Sequence, residues 1–513
     1  MKTPTSHRLP LTVLALLTAL LASAGPAGAA EMSSCKYLNI GELPLRFMGN
    51  NFQPVVQGSI NDQPATMLVD TGAFASALTP TGVERLDLNP RVTGDHTEGI
   101  GGTSRVYGVR LSEFGIGPAH VKRLQLRMIG DMGAPPDFDA IVGADFLFQA
   151  DIEISLAEKA VRFFRPMDCD KRSFLAYWAK EAVVLPLTGN FGASRNNTFT
   201  VVLNGVEVDA IIDTGASHSV VFEWAARKAG VQADHASSRQ AGSAVGVGSD
   251  IVRQRSAIFT TFAIGGETIR DAELTIGPDL GVAGHPLGML LGADFLRSHR
   301  ILFAMSQRQL YVSYQGGDVF QRDARGIPAW LQREADGGNA DAQYAVAARY
   351  AAGKLVGRDP DKALALLELA AAQNHRPALL SLADQRMRAK RYTDGAALYR
   401  RAVLAQPGDR RTWLMLYLAQ LRAGETAQAA AELDQHLAAD TKHAWPAPVG
   451  DYFLGRLDAP ALLAAAGKEE ALAAPRRCES QRFMLLLAGA KGDEAQVKAL
   501  APAVTAACKA PAS

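Results

Sequence analysis

The residues best suited to do chemistry are two aspartates, Asp70 and Asp213, which stand in the same short frame. Met67-Leu68-Val69-Asp70-Thr71-Gly72-Ala73 returns as Ala210-Ile211-Ile212-Asp213-Thr214-Gly215-Ala216. In each copy an apolar, β-prone run ends at the aspartate and a glycine follows, so each carboxyl should leave the end of a buried strand at a tight turn. Two carboxyls held together in a partly buried site cannot both ionise cheaply. Repulsion raises one pKa, and the pair shares a proton over a working pH range. That state supplies a base and an acid at once: the ionised group takes a proton from a lodged water, and the protonated group donates to the carbonyl under attack. No covalent intermediate is required, in keeping with a sequence that carries no persuasive nucleophile–base motif.

A single Asp-Thr-Gly is weak evidence, since average residue usage gives roughly one chance match per several thousand positions. Here each copy brings a downstream partner. Ala140-Ile141-Val142-Gly143-Ala144-Asp145-Phe146-Leu147 follows the first, with Gly143 73 residues beyond Asp70. Met289-Leu290-Leu291-Gly292-Ala293-Asp294-Phe295-Leu296 follows the second, with Gly292 79 residues beyond Asp213. Phe114-Gly115-Ile116-Gly117 is matched 148 residues later by Phe262-Ala263-Ile264-Gly265, and Gly143 is matched 149 residues later by Gly292. Near-constant offsets across separate motifs make an internal duplication centred on the two carboxylates.

These motifs resemble the aspartic peptidases, and the retroviral-type (retropepsin-like) branch more closely than the pepsin branch. The resemblance is carried by two apolar residues before Asp-Thr-Gly-Ala and two apolar residues before a later glycine. Ala73 and Ala216 stand where pepsin-like enzymes usually have serine. The Gly-Ala-Asp-Phe-Leu ending is similar to that of bacterial retropepsin-like proteins and differs from the viral Gly-Arg-Asn. The resemblance covers roughly the first two thirds of the chain. It implies an all-β duplicated fold, with one chain linking two lobes that retropepsins usually draw from separate chains. It also implies that Asp70 and Asp213 are the catalytic pair, acting on a peptide or protein substrate. Thr71 and Thr214 would fix the two turns against each other through hydroxyl-to-backbone hydrogen bonds, beside Gly72 and Gly215. The tips around Gly101 and Gly102, and around Gly246 and Gly248, would be flaps closing over an extended peptide that pairs with them as an added strand.

The elements that must position these residues can be followed along the chain. Residues 31–172 read as the first lobe. Val55 to Asp70, broken at Asn61-Asp62, looks like a hairpin that delivers Asp70, and the glycine-rich Glu98 to Thr103 lies between strand-like segments. Residues 173–325 repeat the order, and Thr198 to Asp213 around Asn204-Gly205 is the strongest hairpin signal in the chain. Asp145 and Asp294, just after a strand-end glycine, read as helix N-caps. His218, beside the second motif, reads as a pocket-wall residue.

Beyond about residue 325 alanine and leucine dominate and helical spacing replaces strand signals. Residues 326–513 contain stretches that resemble Sel1-type repeats, with Ala342 and Ala378 lying 36 positions apart, then stretches resembling degenerate tetratricopeptide units from Tyr392 to Leu437. Such units are helix pairs that bury their faces by stacking; a generic helical bundle is the competing description. The fold class is therefore multi-domain: duplicated all-β lobes followed by α-helical repeats. The repeats contain no motif that looks catalytic, so the chemistry is expected to need nothing beyond about Arg325.

Residues 1–30 read as a cleaved signal peptide: Lys2, His7 and Arg8, the apolar run Leu11 to Leu21, and Ala27-Gly28-Ala29-Ala30. Met32-Ser33-Ser34-Cys35 is a poor lipobox. All four cysteines, Cys35, Cys169, Cys478 and Cys508, lie beyond that cleavage point. Four cysteines allow three pairings, and pairing within each bracket, Cys35 with Cys169 and Cys478 with Cys508, is the simplest. A metal or other cofactor is not expected, because the sequence has no Cys-x-x-Cys motif or His cluster. Asn196-Asn197-Thr198 is a glycosylation sequon only in a eukaryotic source. A formal net charge of +1 gives no reason to expect nucleic acid as a partner. No later stretch is apolar enough to span a bilayer, so the expected location is the bacterial periplasm or the exterior.

Two functions of different class follow. One is an exported aspartic endopeptidase whose repeats recruit protein partners or substrates. The alternative is a catalytically inactive scaffold that binds peptides or proteins through the same groove and repeats. The retention of both motifs favours the enzyme. A third arrangement, each lobe dimerising with another chain, is weakened by the short stretch between the lobes.

Overall fold

The computed structural model describes residues 35–508, apart from 50, 118, 134–135, 189–197, 233–237, 245, 280, 283–284, 321–325, 354–355, 441–442 and 469. The expected signal peptide and the two asparagines of the sequon lie outside the described residues.

Each lobe is built on a hairpin that feeds its aspartate. In the first, Gln53–Ile60 pairs antiparallel with Gln63–Val69 through a turn at Asn61 and Asp62, both at positive φ. In the second, Phe199–Leu203 pairs with Val206–Ile212 through Asn204-Gly205, again both at positive φ. Two such residues in succession make the tight turn whose twist suits a two-residue hairpin. Burial explains the apolar runs: Met67, Leu68 and Val69 are buried, as are Ala210, Ile211 and Ile212.

The strand leading into each aspartate then pairs parallel with the short strand preceding the later glycine. Met67 faces Ala140 and Val69 faces Val142; Ala210 faces Met289 and Ile212 faces Leu291. These sit in an eight-stranded sheet in the first lobe and a seven-stranded sheet in the second. A third sheet of six strands joins the lobes, with Ile152 opposite Phe303 and Ser155 opposite Arg300 across the boundary. Glu153 is fully buried in that sheet, where it accepts from Arg162 Nη1 at 2.7 Å and Arg300 Nε at 3.0 Å. A buried carboxylate with two guanidinium partners ties the lobes at a point where loss of either partner would strand a charge.

The C-terminal region is a run of consecutive helices from Ala329–Asp336 to Glu494–Ala507. Local signals punctuate it. Asn339, Asp359, His375 and Asp409 cap helix starts through their side chains, and Gly353 and Gly424 end helices in the left-handed region. Among the described residues no helix is long and apolar enough to cross a membrane. Cys35 is bonded to Cys169 across the first lobe, and Cys478 to Cys508 across the last two helices.

The helical region is not a separate body on a tether. Leu331 and Ala335 of its first helix, with Ala342 and Val346 of the second, join the same apolar core as the two lobes. Lys159 pairs with Glu334 at 2.8 Å, and Asn339 Nδ2 donates to the Phe47 carbonyl at 3.2 Å. A cut near residue 325 would strip a helix from the lobes' own core and expose buried apolar surface.

Candidate active site

Because both strands end at the same level of the fold, the two Asp-Thr-Gly turns meet. The Asp70 carboxyl lies against Gly215 and the Asp213 carboxyl against Gly72, so each aspartate sits on the other's turn. Each is also held from its own turn. Asp70 Oδ1 accepts from the N–H of Gly72 at 2.9 Å and of Ala73 at 3.0 Å. Asp213 Oδ1 accepts from Gly215 at 2.9 Å and Ala216 at 3.1 Å. A side chain cannot be added at the glycines: a Cβ on Gly215 would lie 2.6 Å from Asp70 Cγ, and one on Gly72 would overlap the Asp213 carboxyl.

Burial raises the pKa of both carboxyls. For Asp70 the hydrogen bonds from Asp213 and from the Ala73 and Gly72 amides oppose that rise. For Asp213 the charge of Asp70 and their mutual hydrogen bond add to it, so its pKa stands well above the ordinary carboxylate value. Two carboxyls whose pKa values are both raised and which repel when both are charged therefore hold one proton in common.

Thr71 and Thr214, both almost completely buried, lock the turns together by reciprocal hydrogen bonds across the lobes. The Gly143 and Gly292 motifs brace the turns from behind. Asp70 N donates to the Val142 carbonyl and Ala144 N to the Ala73 carbonyl; Asp213 N donates to Leu291 and Ala293 N to Ala216.

The helix N-cap assigned to Asp145 and Asp294 from sequence is incorrect. Gly143 and Gly292 occupy the cap positions, with no side-chain cap bond. Asp145 Oδ1 instead accepts from the N–H and hydroxyl of Ser76 at 2.8 and 2.7 Å, and the Ser76 hydroxyl accepts from Gly143 N at 3.1 Å. Asp294, Ser219 and Gly292 repeat the relay at 2.8, 2.6 and 2.9 Å. His218 is half-exposed beside it, with Nδ1 3.9 Å from Asp294 Oδ2.

The glycine tips meet across the lobes. Gly101 N donates to the Val247 carbonyl at 2.9 Å, and Asp250 N donates to the Gly101 carbonyl at 3.0 Å. Gly248 has φ +107, and a Cβ there would overlap the Gly101 carbonyl. Gly102 turns the first tip at φ +93, and Gly246 lies beside Ile100. The second tip is also held by a segment that sequence reasoning missed: Gly248 N donates to the Asp131 carbonyl at 2.9 Å. Val247 packs beside Ala73, Met48 and Met132 against a first-lobe wall that includes Leu68, Ile129 and Ile141.

Gln53 was missed as well. Its Nε2 donates to the Gly215 carbonyl at 3.2 Å, so a first-lobe side chain supports the second-lobe turn. Its position directly after the buried Phe52, at the start of the hairpin that delivers Asp70, was the one available signal. A surface pocket of about 560 Å³ lined by Ile258, Glu267, Arg270, Asp271 and Tyr314 includes neither aspartate nor either glycine tip.

Residues 56–149 match the family described as "gag-polyprotein putative aspartyl protease". Residues 199–295 match a family described as aspartyl protease. The two matches fall one on each lobe, each spanning one of the aspartates. No curated protein matches the chain. Among solved structures, an aspartic proteinase from Irpex lacteus is similar at 12% identity and TM-score 0.34, over 53% of this chain and 97% of that one.

Proposed function

We propose that the chain is an exported aspartic endopeptidase that hydrolyses peptide bonds with water activated by Asp70 and Asp213. The observation that carries this reading is a pair of partly buried carboxyls on facing turns, each against the other turn's glycine and each anchored by two backbone amides. In the resting state one carboxyl holds the proton and the other is the base. With the proton on Asp213, Asp70 takes a proton from a water between the carboxyls as its oxygen attacks the scissile carbon, and Asp213 donates its proton to the carbonyl oxygen. Collapse of the gem-diol breaks the C–N bond. The Asp70 proton passes to the leaving nitrogen and Asp213 regains a proton from a diol hydroxyl, which restores the starting state.

The glycine tips act as flaps in this reading. Their mutual hydrogen bonds must part for a substrate to enter, and the freed amides can pair with an extended peptide. Two disulfides suit an oxidising compartment and support export. The helices, read as Sel1-type and tetratricopeptide-like pairs, would present a surface that recruits a protein partner or substrate.

The test is incubation with a diverse unstructured peptide mixture across acidic to neutral pH, with Asp70→Asn beside the wild type. New cleavage products from the wild type alone support the peptidase. Identical, uncleaved mixtures from both proteins would remove the reading and leave the peptide-binding scaffold in its place.

A further inference from the structure

We infer that Trp330 is a positioning residue for the second catalytic turn, which makes the first C-terminal helix a working part of the peptidase. The inference rests on the peptidase reading above and adds to it.

Trp330 lies where both lobes and the helical region meet. Its ring stands edge-on to Phe52 of the first lobe, with centroids 5.2 Å apart. On the second lobe, the Arg297 guanidinium lies 3.8 Å from the centre of the same ring. From these two contacts, two short paths reach the second catalytic turn.

The first path runs through Phe52. This residue is buried and held at φ 50, a strained setting for a non-glycine side chain that needs its surroundings to maintain it. Trp330 is part of those surroundings. The next residue, Gln53, donates to the Gly215 carbonyl at 3.2 Å. Gly215 in turn gives its N–H to Asp213 Oδ1, and its α-carbon approaches Asp70 so closely that no Cβ would fit. A shift in Phe52 therefore passes through one side chain to the peptide unit lying between the two carboxylates.

The second path runs through Arg297, which directly follows the helix Ala293–Leu296. The Arg297 Nε is buried and has no hydrogen-bond partner, and the guanidinium pKa is lowered to about 10 by burial. Asp294 and Glu334 are the charges that oppose that shift. A buried cation with an unmade hydrogen bond is costly unless neighbouring charge or a ring face compensates. Trp330 supplies the ring face, and Glu334, on the same helix, supplies charge. Asp294 anchors Ser219, six residues beyond Asp213. Removing the indole would leave Arg297 to find new partners beside that anchor.

One path ends on the second turn at Gly215 and the other on Ser219 just beyond it, so Trp330 constrains the turn's position and not merely its stability. Lys159 with Glu334 holds this helix against the first lobe, and Asn339 with Phe47 holds the start of the next one.

The test uses the full-length protein. Trp330→Ala, Trp330→Phe and wild type are compared by melting curve, by kcat and KM on a short peptide, and by carboxyl-carbon NMR titration of aspartate-labelled samples. Trp330→Ala should lower kcat by about 100-fold with KM within about twofold, the scale expected for an ångström-sized displacement in an active site. The raised titration of the carboxyl pair should move back toward ordinary carboxylate values, and Trp330→Phe should restore most of both. A folded Trp330→Ala protein with wild-type kcat and an unmoved titration overturns the inference. If Trp330→Ala does not fold, Gln53→Leu, which removes only the bond to Gly215, is judged by the same two readouts. If the wild type cleaves nothing, the peptidase reading fails, and the titration alone still decides whether Trp330 positions the pair.

Discussion

Thr71 and Thr214 each complete the other's turn. Thr71 N donates to Thr214 Oγ1 at 3.0 Å and Thr214 N to Thr71 Oγ1 at 3.1 Å. The Thr71 hydroxyl then donates to the Ile212 carbonyl at 2.7 Å, and the Thr214 hydroxyl to the Val69 carbonyl at 2.6 Å. Thr214→Val keeps the shape but leaves a buried amide and a buried carbonyl without partners. Each such loss costs roughly 1–3 kcal/mol. The melting temperature should fall and kcat with it, while Thr214→Ser should recover most of both. A Thr214→Val protein as stable and active as the wild type would show that the lock is incidental.

The dyad predicts a separation of activity from stability. Asp70→Asn and Asp213→Asn should each reduce turnover by at least about 10³-fold, because one chemical role is lost in either case. Stability should respond differently. Asp213 has a folded pKa raised above its unfolded value. Its contribution is therefore fully present below the unfolded pKa and lost as pH rises through the folded pKa. Asp213→Asn should accordingly melt higher than the wild type at neutral pH, with the gap closing toward pH 4. Melting curves at several pH values check this, and a gap that widens on acidification contradicts the sign.

The Asp145–Ser76 relay predicts graded defects. Asp145→Ala leaves the Ser76 amide and hydroxyl unpaired behind the first turn, at a cost of roughly 2–6 kcal/mol for two donors. Asp145→Asn keeps an acceptor and should cost less than half as much. Chemical denaturation of both variants provides the measurement, and equal losses would assign the effect to charge and not to the hydrogen bonds.

How far the sequence reaches can be judged on these same residues. Asp70, Asp213, both hairpins and both glycine tips are legible, because each depends on a local pattern: an apolar run, a two-residue turn, a glycine cluster. Duplication strengthens that reading, since one motif supports its copy. Asp145 is legible as a position but not as a role. Local spacing suggests an N-cap, whereas its partner Ser76 is 69 residues away and only the pairing of Ala77–Leu78 with Ala140–Val142 brings the two together. Gln53, Asp131 and Trp330 act across lobe or domain boundaries, so no period or motif in a single sequence marks them.

The Cys35–Cys169 bond closes a separation of 134 residues around the first lobe. Constraining so long an unfolded loop stabilises the native state by about 4–5 kcal/mol in the chain-entropy account. The Cys478–Cys508 bond closes only 30 residues and should contribute about 1 kcal/mol less on the same basis. Cys35→Ser with Cys169→Ser should therefore lower the denaturation midpoint more than the corresponding pair at the C-terminus. The reverse order would show that native packing, not loop length, sets the contribution of each bond.

The last prediction concerns access. Gly248 sits at φ +107 with its α-carbon against the Gly101 carbonyl, and its N–H is held by the Asp131 carbonyl. Alanine at this position is disfavoured by the backbone conformation and by the overlap with Gly101. The second tip must withdraw from the first, which loosens the bonds from Gly101 N to Val247 and from Asp250 N to Gly101. The carboxyls lie on separate turns held by Thr71 and Thr214, so the chemistry itself should be little disturbed. Gly248→Ala should then raise KM for a peptide by roughly tenfold, about 1.4 kcal/mol of lost binding, with kcat changed much less. Loss of kcat at unchanged KM would instead place the tip among the groups that act in the chemical step, and the flap assignment would have to be abandoned.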